Sequence, residues 1–150
     1  MLKGIDHRLG ADVLHALRAM GHGDLLVLCD TNFPADSVAS RTTRGHLLRM
    51  DNLTAAQAAE AVLSVFPLDT FVPDHAGRME VVGEPAMVPV VQQEVQEVVD
   101  RHDGREARMV GVERFAFYDL ARTAYAVIQT GERRFYGCFT FRKGVIPPDA

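Results

Sequence analysis

The chain is poor in cysteine: of its 150 residues only Cys29 and Cys138 carry a thiol, and both sit in apolar, strand-like runs. In a reducing compartment such a pair is expected as free thiols. No apolar run approaches the ~20 residues needed to cross a bilayer, and the first eight residues lack the apolar core of a secretory signal. A cytoplasmic protein with no membrane partner is therefore expected. Positive charge is also scarce, since 16 Lys and Arg against 20 Asp and Glu leave a net charge of −4. A nucleic-acid surface normally needs a basic patch or stripe, so a small or neutral ligand is the expected partner. The six histidines (His7, His15, His22, His46, His75 and His102) form no H-E-x-x-H and no His-x-His, and there is no Cys-x-x-Cys, so no metal is expected. Nor is there a G-x-G-x-x-G after a strand or a G-x-x-x-x-G-K-[ST], and phosphate-rich cofactors have no visible cradle; no cofactor is expected. Without an internal repeat, a low-complexity segment or a linker, residues 1–150 read as a single domain.

What is present is an alternation of helical and strand patterns. Val13, Leu14, Leu17 and Met20 recur at helical spacing over residues 11–20. Thr54 is a good N-cap for an alanine-rich helix over 55–66, with Pro67 ending it. Val91, Val95, Val98 and Val99 make the stripe of a helix over 90–102, which Gly104 closes. A further helix is expected from Pro34 through Val38, and a short one through Ala124. Strands are expected at 25–29, 46–50, 79–82, 107–112, 125–130 and 135–141. The last two, joined by Gly131-Glu132-Arg133-Arg134, read as a hairpin-like C-terminal β-rich pair, with 144–150 a surface tail. Strands alternating with helices predict an α/β fold whose mainly parallel sheet is flanked by helices on both faces.

One stretch invites a chemical reading. Gly21-His22-Gly23-Asp24 precedes the apolar run Leu25-Leu26-Val27-Leu28-Cys29, which ends at Asp30-Thr31-Asn32-Phe33-Pro34. Asp30 then lies just past the carboxyl end of a buried strand, where open α/β sheets bind ligands. The same letters also fit a bland account, in which Gly21 stops the preceding helix, His22 is a solvated loop residue and Asp30 caps the next helix.

Two further motifs stand in order behind it: Leu68-Asp69-Thr70-Phe71-Val72-Pro73-Asp74, and Glu113-Arg114-Phe115-Ala116-Phe117-Tyr118 with Tyr136-Gly137 and Arg142-Lys143-Gly144-Val145-Ile146. Together these resemble the fucose mutarotase branch of the RbsD/FucU family, whose other branch contains the D-ribose pyranases. The resemblance covers nearly the whole chain. It implies an isomerase that interconverts the anomers of a free monosaccharide such as L-fucose, with no metal or nucleotide. The histidine matching His22 is then the proton donor, and Asp30, Arg114 and Tyr136 bind the sugar. The resemblance also implies a ring-shaped homo-oligomer, commonly a decamer, with sites near subunit boundaries. Where the family pattern has an asparagine this chain has Cys138, a weak donor and weak acceptor in place of an amide that offers both.

The residue types suit that chemistry. Opening a sugar ring needs a proton delivered to the ring oxygen while another leaves the anomeric hydroxyl, and imidazole is the side chain whose ordinary pKa lies near neutrality. Asp30 is expected to accept hydrogen bonds from sugar hydroxyls or to orient His22. Arg114 offers a fork of donors, or an ion pair with Glu113 or Asp119. Tyr118 and Tyr136 offer a flat face and a hydroxyl, or simple core packing. Two alternatives stand beside fucose mutarotation: a D-ribose pyranase or mutarotase of another deoxysugar, and a sugar-binding or assembly protein without catalysis.

Overall fold

Five consecutive apolar residues, Leu25–Cys29, form strand β1, and all of them are buried. Successive side chains in a strand point to opposite faces, so Leu26 and Leu28 enter one core cluster while Leu25, Val27 and Cys29 enter another. A strand buried on both faces needs a layer over each. Helices α1 (Ala11–Ala19), α3 (Ala55–Leu63) and α4 (Val90–Asp103) cover the first face, and α2 (Ala35–Ala39) and α5 (Arg114–Arg122) cover the second. This arrangement comes from a computed structural model that describes residues 1–105 and 108–149.

Strands β2 (Leu48–Met50), β3 (Ala76–Met79), β4 (Val110–Val112), β5 (Ala126–Thr130) and β6 (Phe139–Arg142) complete a six-stranded sheet of order β2-β5-β1-β6-β3-β4. β5 runs parallel to both β1 and β2, and β3 runs parallel to β4. Only β6 is reversed, lying antiparallel between β1 and β3. The expected α/β class, with a mainly parallel sheet and helices on both faces, is borne out.

Local signals place several boundaries. Thr54 caps α3 through a capping box: its hydroxyl accepts from the Gln57 N–H while the Gln57 side chain accepts from the Thr54 N–H. Gly104, at φ 70°, ends α4 in the left-handed region. Helix α1 stops one residue earlier than expected, with Met20 extended at its C-cap, and the left-handed residue of the following turn is Gly23 rather than Gly21.

Three expectations are corrected. The strand expected at 79–82 lies at Ala76–Met79 instead. Its Ala-Gly-Arg-Met sequence carries no β-branched residue, and Gly77 is required because a Cβ there would collide with the Thr140 hydroxyl. The strand expected to begin at Ala107 is seen as β4, Ala107 itself lying outside the described residues, as does Ala150 at the end of the tail. The hairpin is the largest change: β5 and β6 are not partners, because β1 lies between them. Gly131 packs so closely on the Asp51 carbonyl that no Cβ fits, and its N–H donates to the Leu53 carbonyl (2.8 Å). The chain is thereby drawn across the strand ends toward the loop before α3, and it returns on the far side of β1.

Candidate active site

The carboxyl ends of β1, β3, β4 and β5 share one edge of the sheet with the start of the reversed β6. A cavity of about 190 Å³ opens at this edge, below the ~300–1,000 Å³ of pockets for drug-sized ligands and suited to a smaller molecule. Asp30, Asn32 and Phe33 line it after β1, Met79 at the end of β3, Arg114 and Tyr118 on α5, and Phe135, Tyr136 and Cys138 on the approach to β6. Asp30, Arg114, Tyr118, Tyr136 and Cys138 therefore meet, and His22 is not among the lining residues.

Asp30 is 3% exposed, and its carboxylate is already occupied. Oδ1 accepts from the N–H groups of Asn32 and Phe33, both at 3.0 Å. Oδ2 accepts from the Gly137 N–H at 3.0 Å and from the Cys138 thiol at 3.5 Å. A carboxylate has about four acceptor positions, so Asp30 chiefly ties the β1 turn to the β6 approach. Burial, and then the neighbouring Asp30 charge, push the Cys138 thiol well above its ordinary range. The sulfur is a neutral donor to Asp30.

Arg114 and Tyr118 are set by the start of α5. The Glu113 carboxylate caps that helix by accepting from the N–H groups of Phe115 and Ala116, both at 3.0 Å, and these two bonds hold its pKa below the ordinary range. Glu113 is thus committed to the cap, and Asp119 is paired with Arg122 at 2.9 Å. Arg114 Nε donates to the Tyr118 hydroxyl at 2.9 Å, and its guanidinium lies 5.5 Å from the ring centres of both Phe115 and Tyr118. Arg114 thus lines the cavity with its guanidinium set against the Phe115–Tyr118 ring pair, whose centroids are 6.1 Å apart.

Tyr136 occupies a strained position. It is the only non-glycine among the described residues at positive φ (62°), a conformation that costs of order 1 kcal/mol or more and persists only where its surroundings enforce it. Gln92, fully buried on α4, donates through Nε2 to the Tyr136 carbonyl at 3.0 Å and to the Met79 carbonyl at 2.7 Å. The Tyr136 hydroxyl accepts from the Val82 N–H at 3.2 Å. Below, Glu132 accepts from the Arg134 N–H, Nε and Nη2 and from the Ala55 N–H at the start of α3. The Arg134 contacts in particular lower the Glu132 pKa to about 2.

His22 lies at the opposite edge of the sheet. From Asp24 to Asp30 the chain advances six residues at about 3.3 Å each, so β1 separates the two edges by roughly 20 Å. There His22 Nε2 meets Asp69 Oδ2 at 3.1 Å, and the ring packs edge-on against Phe71 with centroids 5.6 Å apart. Asp69 is buried, its other oxygen accepting from the Phe71 N–H at 3.0 Å. That backbone bond, opposed by burial and reinforced by His22, holds Asp69 below the usual carboxylate range. The orienting role expected of Asp30 thus belongs to Asp69. Asp69 stands in the Leu68–Asp74 motif, but its pairing with His22 spans 47 residues and leaves no mark in the local spacing. Nε2 is engaged by Asp69, and the His22 side chain stays 47% exposed.

A profile of the family described as "RbsD / FucU transport protein family" matches residues 3–146. The chain belongs to the RbsD/FucU family. It is similar to the L-fucose mutarotase of Actinobacillus pleuropneumoniae serotype 5b, with 38% identity over 98% of this chain and 99% of that one. Among solved structures, the protein Atu2016 is 61% identical with a TM-score of 0.96, over 98% of this chain and 97% of that one. The fucose mutarotase of Streptococcus pneumoniae, solved with L-fucose, is 30% identical with a TM-score of 0.87, over 97% of this chain and all of the other. Like these relatives, this member of the RbsD/FucU family is matched from end to end, so both edges of its sheet lie within the shared fold. Among its described residues no helix is long and apolar enough to cross a membrane, and no group of three or more His, Cys, Asp or Glu side chains is arranged to hold a metal ion.

Proposed function

We propose that this protein is a mutarotase that interconverts the α and β anomers of L-fucose or a close relative among free monosaccharides. The observation that carries the reading is end-to-end similarity to fucose mutarotases in a chain whose cavity gathers Asp30, Arg114, Tyr118 and Tyr136. In the reaction, His22 gives a proton to the ring oxygen as the C1–O5 bond breaks, while the anomeric hydroxyl gives its proton to solvent water; on closure the O5 hydroxyl returns a proton to His22 and the new anomeric oxygen takes one from water. The aldehyde rotates about C1–C2 and closes from the other face. The buried Asp69 carboxylate fixes the orientation of the imidazole through its contact with Nε2. Arg114 donates to hydroxyls of the sugar, and the Tyr118 and Tyr136 rings flank it. One positioned acid contributes about 10²- to 10⁴-fold.

The proton donor and the cavity lie at opposite edges of one sheet, which favours a site shared between two copies in a cytosolic homo-oligomer, such as a ring of ten. Exposed aromatics stand at both edges, Phe71 beside His22 and Phe115 and Phe135 beside the cavity. In this arrangement His22 of one copy reaches the cavity of the next. A close relative of fucose remains a second reading because of one observation: the Cys138 thiol is turned onto Asp30 and offers the sugar little polarity.

The test is saturation-difference NMR between anomer signals across a panel that includes L-fucose and D-ribose. Exchange of L-fucose well above the spontaneous rate, lost in His22→Ala with the fold intact, is expected. Equal exchange rates for that variant and wild type would refute the assignment of His22, exchange confined to ribose would make the protein a pyranase, and binding without exchange would make it a sugar-binding protein.

A further inference from the structure

The motif Arg142-Lys143-Gly144 touches no residue of the cavity, yet it joins both halves of the His22–Asp69 pair. On one side the Gly23 N–H donates to the Lys143 carbonyl (2.8 Å), the Lys143 N–H donates to the Asp24 carbonyl (2.9 Å), and Arg142 Nη1 donates to the Gly23 carbonyl (3.1 Å). On the other side the Asp69 N–H donates to the Arg142 carbonyl (3.0 Å), and the Gly144 N–H donates to the Pro67 carbonyl (2.8 Å). Gly144 is pressed so closely on the Leu68 carbonyl and Asp69 Cα that a Cβ would collide with both. Backbone bonds of this kind can be made by any residue. What distinguishes Lys143 is its side chain, which turns back under α1 and donates through Nζ to the carbonyls of Leu17 (2.5 Å) and Met20 (2.6 Å).

Those carbonyls are acceptors at the C-terminal end of α1, where the helix leaves its last acceptors unpaired and its dipole favours a cation. Met20 also immediately precedes the Gly21-His22-Gly23 turn. Gly21 adds only one side-chain tie, its N–H donating to Asp24 Oδ2 at 2.7 Å. The imidazole therefore sits on a short glycine-flanked turn whose entry is held by the ammonium of Lys143, the residue just past β6 and 121 positions later in the chain. We propose that Lys143 is a positioning residue for the reaction: by anchoring the end of α1 to the strand that also holds Asp69, it sets the distance between His22 and Asp69 and the direction of the imidazole. The proposal rests on His22 being the proton donor.

The test compares Lys143→Met, which keeps the apolar stem and removes the donors, with Lys143→Arg, which keeps a cation. Misplacing a catalytic group by about 1 Å can cost on the order of 10²-fold. A fall in kcat of about tenfold or more per folded molecule is therefore expected for Lys143→Met, with KM little changed because the hydrogen bonds of Lys143 go to Leu17, Met20, Gly23 and Asp24 and not to Arg114, Tyr118 or Tyr136, which hold the sugar. Lys143→Arg should recover most of the lost kcat. The His22 ring signals in the NMR spectrum of Lys143→Met, and their pH titration, should depart from wild type. A merely structural cap would lower Tm and leave kcat per folded molecule, the His22 titration and the arginine rescue unaffected; that outcome overturns the proposal. The two readings fail separately. Activity surviving in His22→Ala removes the basis, whereas an inactive His22→Ala beside a fully active Lys143→Met with wild-type His22 signals refutes the role of Lys143 alone.

Discussion

Replacing Glu132 by glutamine tests how the cavity rim is held. The carboxylate is almost fully buried and accepts four hydrogen bonds, Oε1 from the Arg134 N–H and Nε, and Oε2 from Arg134 Nη2 and the Ala55 N–H. These contacts take its pKa from 4.5 to about 2, with the Arg134 side chain the largest cause. At about 1.4 kcal/mol per pKa unit the ionised form is favoured over the neutral one by about 3 kcal/mol. The Arg134 side chain is 43% exposed, and solvent screening brings this nearer to about 2 kcal/mol. Because the folded pKa is depressed, this stability is fully present above the ordinary glutamate value and is lost as pH falls through the folded value of about 2. Glu132→Gln should therefore be about 2–3 kcal/mol less stable than wild type at pH 7, and the gap should narrow to about half of that near pH 3. Urea denaturation at fixed protein concentration, repeated from pH 7 down to pH 3, measures it. A gap under about 1 kcal/mol at pH 7, or one that does not narrow in acid, would refute the argument.

Three further outcomes are expected from the same geometry. Asp69→Asn keeps a hydrogen-bonding group on His22 but removes the carboxylate charge beside the ring. Anomer exchange should fall by about 10²-fold, within the range one positioned acid contributes, and an unchanged rate would remove Asp69 from the mechanism. Cys138→Asn should raise activity on L-fucose, since an amide can donate to Asp30 Oδ2 as the thiol does and still present its oxygen to the cavity; lower activity would mean that the thiol itself serves the substrate. Phe141→Ala empties a fully buried position against which Leu26 and Ala76 are registered in the neighbouring strands. It should cost about 3–5 kcal/mol in denaturant unfolding, and a loss below about 1 kcal/mol would show that the layer collapses to fill the space.

The sequence by itself determined the local elements and the residue chemistry. Thr54, Gly104 and the valines of α4 act on neighbours within a turn or two, so their effect can be read from a short window. The all-apolar β1 implied layers on both faces, because its side chains alternate. Asp30, Arg114, Tyr118, Tyr136 and Cys138 were picked out from motifs, and the fold brings them to one cavity.

Only the tertiary structure decided how distant pieces meet. Strand β6 reads as the partner of β5, yet it pairs with β1 and β3, because a strand's apolar pattern names a face to bury and not a neighbour. Asp69 reaches His22 across 47 residues, and Lys143 reaches Met20 across 123. Sequence spacing carries no trace of such contacts, since they exist only once the sheet is assembled. The length of β1 also sets His22 and Asp30 at opposite edges, although eight positions in the chain suggest proximity. An extended strand turns nearness in sequence into roughly 20 Å of separation, while the folded sheet turns more than a hundred residues into a hydrogen bond.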